Sequence, residues 1–260
     1  MGRAGPLGPP RIGLDVASPD GAPSGRALPQ ASAAWIVGLL QAGDSFYPTG
    51  SYAHSFGLEG LVQAGVVSDR ATLREFLLRS VLPSLQQAEL PVAAHAWRAL
   101  DGAGDWVRVQ ELCVLSAALK APRELRVASE NIGRQRAELT ALLHAHPLAR
   151  AYAEKSTTES WPHAAAVSAA LEGRVLGAPL VAVLSGIYYA TVVALVSAAM
   201  KILRLGQNAS QTLLAETLAQ APMVIAAAEA VPFDEIGWFN PWLDIAASRH
   251  ELADARMFIS

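Results

Sequence analysis

From Val175 to Met200 the chain carries no charged residue. A bilayer span needs about 20 apolar residues, so the stretch is long enough to be one. Gly177, Pro179, Ser185, Gly186, Tyr188, Tyr189, Thr191 and Ser197 interrupt it, however, and Arg174 before it with Lys201 and Arg204 after it give little orientation bias. A large core also demands a helix that is apolar all round. The stretch therefore reads as a buried core helix opened by Pro179. Insertion in a membrane is the weaker alternative.

The rest of the chain beyond residue 30 repeats the helical period. Ser68-Asp69 is placed to cap a helix whose apolar stripe is Leu73, Phe76, Leu77 and Val81. Asp105 precedes a stripe of Val109, Leu112, Cys113 and Ser116. From Arg123 to Leu143 the expected inner face is Leu125, Ala128, Ile132, Leu139 and Leu142. Pro162 reads as the first turn of another helix, with His163 just inside it, and Asn208 or Ser210 opens one that carries Leu213, Leu214 and Leu218. Runs of β-branched residues with period two are absent. The expectation is an all-α, single-domain bundle of about eight to ten helices over residues 31–260. Residues 1–30 hold six Gly and six Pro without apolar periodicity and read as a disordered tail.

The 260 residues include 20 Lys and Arg against 23 Asp and Glu, a net charge of −3, so no electrostatic footprint for nucleic acid exists. The single cysteine, Cys113, excludes a disulfide scaffold and fits a reducing, cytoplasmic setting. Phosphate-binding glycine loops are absent. A serine-hydrolase reading from Asp44, His54 and Ser55 lacks the Gly-x-Ser-x-Gly elbow. His144 and His146 diverge on a helix and fit a helix end, His95 fits a half-buried helix position, and no His pair has metal-ligand spacing. Catalysis and a fixed metal are thus not expected.

Two stretches resist a purely structural explanation. Residues 43–59 gather Gly, Pro, Ser, aromatics and His54 between apolar helical segments: Pro48 and Gly50 set a turn, Ser51 or Ser55 can cap the next helix, and Glu59 lies near that helix's positive end. The carboxyl end, Asp244 to Glu251 and Arg256 to Ser260, mixes charge with Ile245, Met257 and Phe258. It is either docked on its own core or folds on a partner.

Together these stretches resemble the UreF family of urease accessory proteins. Asp44-Ser45, Pro48 to Tyr52 and above all His54-Ser55-Phe56-Gly57-Leu58-Glu59 are similar to the family's amino-terminal signature, continued by Val67-Ser68-Asp69 and Thr72-Leu73. Glu124-Leu125-Arg126, Ala128-Ser129 and Gly133 resemble its middle; Leu205-Gly206-Gln207, Gln211, Arg249-His250-Glu251, Arg256, Phe258 and Ser260 resemble its end. The resemblance implies an all-α, non-enzymatic assembly factor for the nickel enzyme urease. Such a factor forms a homodimer, binds a UreD/UreH-type accessory protein and recruits the GTPase UreG to apo-urease. Direct modulation of that GTPase, with Arg249 or Arg256 as an arginine finger, is the alternative.

By the same resemblance, Tyr52, His54, Ser55 and Glu59 lie on the UreG side. Arg249, His250, Arg256 and Phe258, within a partner-docking segment 241–260, lie on the UreD side, and Tyr189 is a dimer contact. Nickel is handled in transit along a polar-lined route, with no resident cofactor. Arg204 stands where the family commonly has Pro, Asp254 where it has Tyr, and Lys201 where it has Arg.

Overall fold

The computed structural model describes residues 30–51, 54–251 and 256–258, with side chains from residue 34 onward. The tail expected over residues 1–30 lies outside them except for Gln30, as do Tyr52, Asp254 and Ser260. No strand occurs among the described residues, and the architecture is an all-α bundle.

The helices are α1 (Gln30–Gly43), α2 (Leu58–Gln63), α3 (Arg70–Phe76), α4 (Leu82–Ser84), α5 (Leu90–Ala99), α6 (Trp106–Ala118) and α7 (Arg123–Leu143). They continue as α8 (Pro147–Thr158), α9 (Ala165–Leu176), α10 (Leu180–Ile202), α11 (Gln207–Leu218), α12 (Ala221–Glu229) and α13 (Pro241–His250). Helix α9 is the hub, flanked by α5, α7 and α10, with α1, α6 and α8 also against it. Two expected stripes are buried as read: Leu73, Phe76, Leu77 and Val81, and Val109, Leu112, Cys113 and Ser116. Asp69 forms a full capping box with Thr72, and Asp105 accepts from the Arg108 N–H.

From α3 the chain stays helical through α4 to the end of α5, but two π-helical turns, Leu77–Val81 and Leu85–Glu89, interrupt the α geometry. Each lies just before a proline, Pro83 or Pro91. Proline has no N–H to give the carbonyl four residues back and crowds it sterically, and the wider turn accommodates both losses. The carbonyl of Gln87, four residues before Pro91, accepts instead from the Gly237 N–H at 2.9 Å. The second proline thus frees a carbonyl that ties this rod to the segment leading into α13.

Helix α7 departs from the expected face. Its buried residues are Ala128, Ser129, Ile132, Gly133, Ala137 and Thr140, while Leu139 is half-buried and Leu142 is 79% exposed. Small residues win because α7 lies close against α9 and its leading loop: a Cβ on Gly133 would stand 2.7 Å from the Ala164 carbonyl carbon. The start of α9 also differs. It begins at Ala165, leaving Pro162 and His163 in the preceding loop.

Helix α10 corrects the buried-core expectation. It is 23 residues long and apolar enough to cross a membrane, yet only 33% of its most apolar window is buried. Val183, Leu184, Tyr188, Val192, Leu195 and Val196 face inward, whereas Val181, Ser185, Gly186 and Tyr189 lie open. The helix is therefore one-sided in burial though not in composition.

Candidate interaction site at the carboxyl end

The stretch 54–60 is shaped to receive another helix. Gly57 adopts φ 85°, a left-handed conformation that favours glycine, and so turns the chain into α2. Gly60 then presents bare backbone: a Cβ there would stand 2.5 Å from the Ala246 carbonyl oxygen. Helix α13 lies in that space, capped by Asn240, whose side chain accepts from the Leu243 N–H at 3.2 Å. The N-cap of α2 is Gly57, not the expected Ser51 or Ser55, though the Ser55 hydroxyl accepts from the first-turn Glu59 N–H at 3.3 Å.

With the helices this close, Glu59 becomes a hub. Only 6% exposed, it accepts from the Met257 N–H at 2.8 Å and the Phe258 N–H at 3.0 Å, and one of its oxygens lies 2.9 Å from His250 Nε2. On the far side of the imidazole, Nδ1 lies 3.0 Å from Glu124 Oε2, and the other Glu124 oxygen accepts from Arg256 at 2.6 Å. Burial alone would raise the Glu59 carboxyl, but the Met257 N–H, the His250 ring and the Phe258 N–H outweigh it and hold the group below the usual carboxylate range. Phe258 is buried, with the Lys201 ammonium 5.3 Å from its ring centroid. The Lys at this position therefore serves as a cation over an aromatic face, which needs charge but no guanidinium fork. On the outer surface, Arg123 pairs with Glu251.

The two predicted groups of site residues thus meet in one network. Glu59, expected to face one partner, is bonded to His250 and the 256–258 segment, expected to face another. His54, Ser55, Glu59, His250 and Phe258 are all buried, so as described they present no side-chain surface to a partner. Arg249 is exposed and Arg256 partly so. Burial also pushes His54 toward its neutral form. Between the two carboxyl-end alternatives, the described part of the segment is docked on its own core. Tyr189 is 49% exposed on the open face of α10.

Glu124 was missed as a site residue. It reads as a first-turn acid of α7, and only tertiary proximity brings it against His250 and Arg256.

The loop before α2 is fixed by a separate cluster. The Tyr47 hydroxyl donates to Glu172 at 2.6 Å, Arg136 donates to the other Glu172 oxygen, and Arg136 also reaches the Ala42 carbonyl. Burial and the neighbouring Glu172 carboxylate hold the Tyr47 phenol well above its usual range. Phe46 stays 93% exposed at the loop's outer edge.

Two further histidines make ordinary contacts, while His163 Nδ1 is buried without a hydrogen-bond partner. His146 caps α8, its ring accepting from the Leu148 N–H at 3.2 Å, and His95 Nε2 lies 2.9 Å from the Val231 carbonyl oxygen. Cys113 is buried beside Tyr152, and its thiol is pushed up to about 12 by burial, far from a reactive thiolate. Among the described residues no group of three or more His, Cys, Asp and Glu is placed to hold a metal ion. A cavity of about 260 Å³ lies between the π-helical turns, α7, α9 and α10; its walls are mainly apolar, with the Lys120–Glu89 pair as a polar patch.

The UreF family model matches residues 67–218, more than half of the chain. The chain is 32% identical over 230 residues to the urease accessory protein UreF of Paenarthrobacter aurescens, covering 88% of this chain and 100% of that one. It is 34% identical over 239 residues to the UreF of Methylibium petroleiphilum, with 88% and 95% covered. The UreF of Rhodopseudomonas palustris is 34% identical over 238 residues, with 90% and 97% covered. Matches of this extent show that the chain belongs to the UreF family of urease accessory proteins.

Proposed function

We propose that this chain is a non-enzymatic scaffold for urease maturation in the cytoplasm. With a UreD/UreH-type protein it recruits the GTPase UreG to apo-urease, so that nickel, the cargo, is inserted. The observation that carries this reading is the docked carboxyl segment. A buried carboxylate takes two backbone N–H groups and a histidine from a segment nearly 200 residues away, an expensive arrangement that a fraying chain end does not need. What it displays is a surface: Phe239, Trp242, Ile245, Arg249 and Met257 are exposed on and beside α13. Aromatic and Arg side chains at this density suit a protein interface.

In this reading the UreD-type partner docks on α13 and its neighbours. His54, Ser55 and Glu59 support the UreG-side surface from beneath, and the open face of α10 around Tyr189 makes the homodimer. Arg256 is engaged by Glu124, which disfavours a finger role for it in GTP hydrolysis. Deleting the gene in its host tests the proposal. Urease polypeptide should accumulate without activity and without bound nickel, and complementation should restore both. Undiminished activity in nickel-poor and nickel-replete medium would sink it.

A further inference from the structure

Both ring nitrogens of His250 face carboxylate oxygens, Nε2 toward Glu59 at 2.9 Å and Nδ1 toward Glu124 at 3.0 Å, and the residue is 1% exposed. A neutral imidazole has one N–H and one lone pair, so either tautomer would set a lone pair against a carboxylate oxygen. A protonated carboxyl could relieve one such contact. Yet both carboxyls are engaged as anions: Glu59 by two backbone N–H groups, Glu124 by the Arg256 guanidinium. With a proton on each nitrogen the ring donates both ways, and two carboxylates are balanced by an imidazolium and a guanidinium. We infer that His250 is held as an imidazolium and that its second proton latches the 256–258 segment to the body, so that the latch loosens as pH rises.

The surroundings leave this charge balance to His250. Helix α2 contributes Glu59 and α7 contributes Glu124; from the carboxyl segment comes Arg256, and Lys201 of α10 lies over Phe258. His54, close enough to feel Glu124, is kept toward neutrality by its burial, and the Arg123–Glu251 pair flanks the site on the outer surface. Removing the imidazolium proton leaves two buried carboxylates around one guanidinium. Glu59 then loses a charge-assisted hydrogen bond while still asked to hold two amides. A group stabilised in its protonated form contributes fully at low pH, and the contribution is lost as pH rises through its titration. The consequence for partner docking rests on the function proposed above; the latch itself does not.

The test uses the full-length chain alone, with ¹⁵N-labelled histidine, from pH 5.5 to 9. The His250 signals are assigned by their loss in His250→Gln. At neutral pH both ring nitrogens should give imidazolium shifts. As the ring loses its proton, the intrinsic-rate-corrected protection of the Met257 and Phe258 amides should fall about ten-fold, the loss of one charge-assisted hydrogen bond. His250→Gln should show low protection that no longer varies with pH, and Glu59→Gln should move the ring titration to lower pH. A neutral His250 ring at pH 6 with both amides still protected would overturn the inference, as would a ring titration that leaves protection unchanged. If the latch moves as expected while a UreD-type partner binds equally at pH 6 and 9, the inference stands and the docking surface of the proposed function is wrong.

Discussion

Two buried glutamates tie irregular stretches of chain to the bundle, and they do so with different chemistry. Glu172, on α9, holds the 44–51 loop through the Tyr47 hydroxyl and the Arg136 guanidinium. Glu59, on α2, holds the carboxyl segment through two amides and His250. Each is at most 6% exposed, so each must be compensated. The guanidinium beside Glu172 stays charged at any relevant pH, and the phenol stays neutral. The imidazole beside Glu59 is the side chain whose charge changes nearest neutrality. The first tie holds to about pH 10, and the second is the one inferred to be adjustable nearer neutrality; it is this second tie that carries the proposed partner surface.

Removing Arg136 should be the harshest way to break this contrast. Arg136→Met strands Glu172 with a lone hydroxyl in the interior, and breaking a buried pair from one side costs about 3–5 kcal/mol. Urea denaturation should show that loss in its midpoint. A shift below about 1 kcal/mol would mean Glu172 is not buried as an anion, and the comparison would fail. Glu59→Gln should cost about 1.5–3 kcal/mol, the worth of hydrogen bonds to a charged group. The loss should be local: Met257 and Phe258 amides should exchange faster while the helices of the body keep their protection. Uniform loss across the bundle would show that the segment is part of the cooperative core.

The two ties should also separate by pH. Glu59 titrates below the ordinary carboxylate range, so its contribution is complete above that range and is lost as pH falls through the depressed value. Tyr47 titrates above its ordinary value, so the loop tie is complete below about pH 10 and weakens above it. Amide exchange followed across pH should therefore release the carboxyl segment before the 44–51 loop in acid, and should loosen that loop only above about pH 10. Simultaneous release at both extremes would contradict the assignment. The smallest effect belongs to Arg123→Gln. Its pair with Glu251 lies on the surface beside the latch, so thermal stability should not change measurably. A clear loss would shift weight from the buried carboxylate to the surface pair.

Much of the fold was legible because a 3.6-residue stripe and a capping acid act locally, as at Asp69 with Leu73, Phe76, Leu77 and Val81. Where packing depends on what is missing from a side chain, the stripe misleads. The inner face of α7 follows Gly133, Ala137 and Thr140, and Leu142, the more apolar residue, points outward. The π turns before Pro83 and Pro91 were equally hidden, since a proline marks a helix break or kink as readily as a wider turn. Helix α10 looked buried all round because its sequence is apolar all round, whereas burial depends on neighbours that cover only one side. At the site, the 54–59 motif was visible as unusual, and its glycines explain why. Its partnership with residues 250 and 256–258 was not, since no spacing rule relates groups nearly 200 positions apart, and Glu124, visible only within the stretch that resembles the family's middle, carried no sign of its tertiary partners.

The measurement that bears most directly on this account is complex formation with the UreD-type partner. Size exclusion with light scattering would be run on the wild-type chain and on Glu59→Gln, each with unchanged helix content by circular dichroism. The account predicts a stable complex with the wild type and a weakened or absent one with Glu59→Gln. Equal binding by both, or by neither, would contradict it.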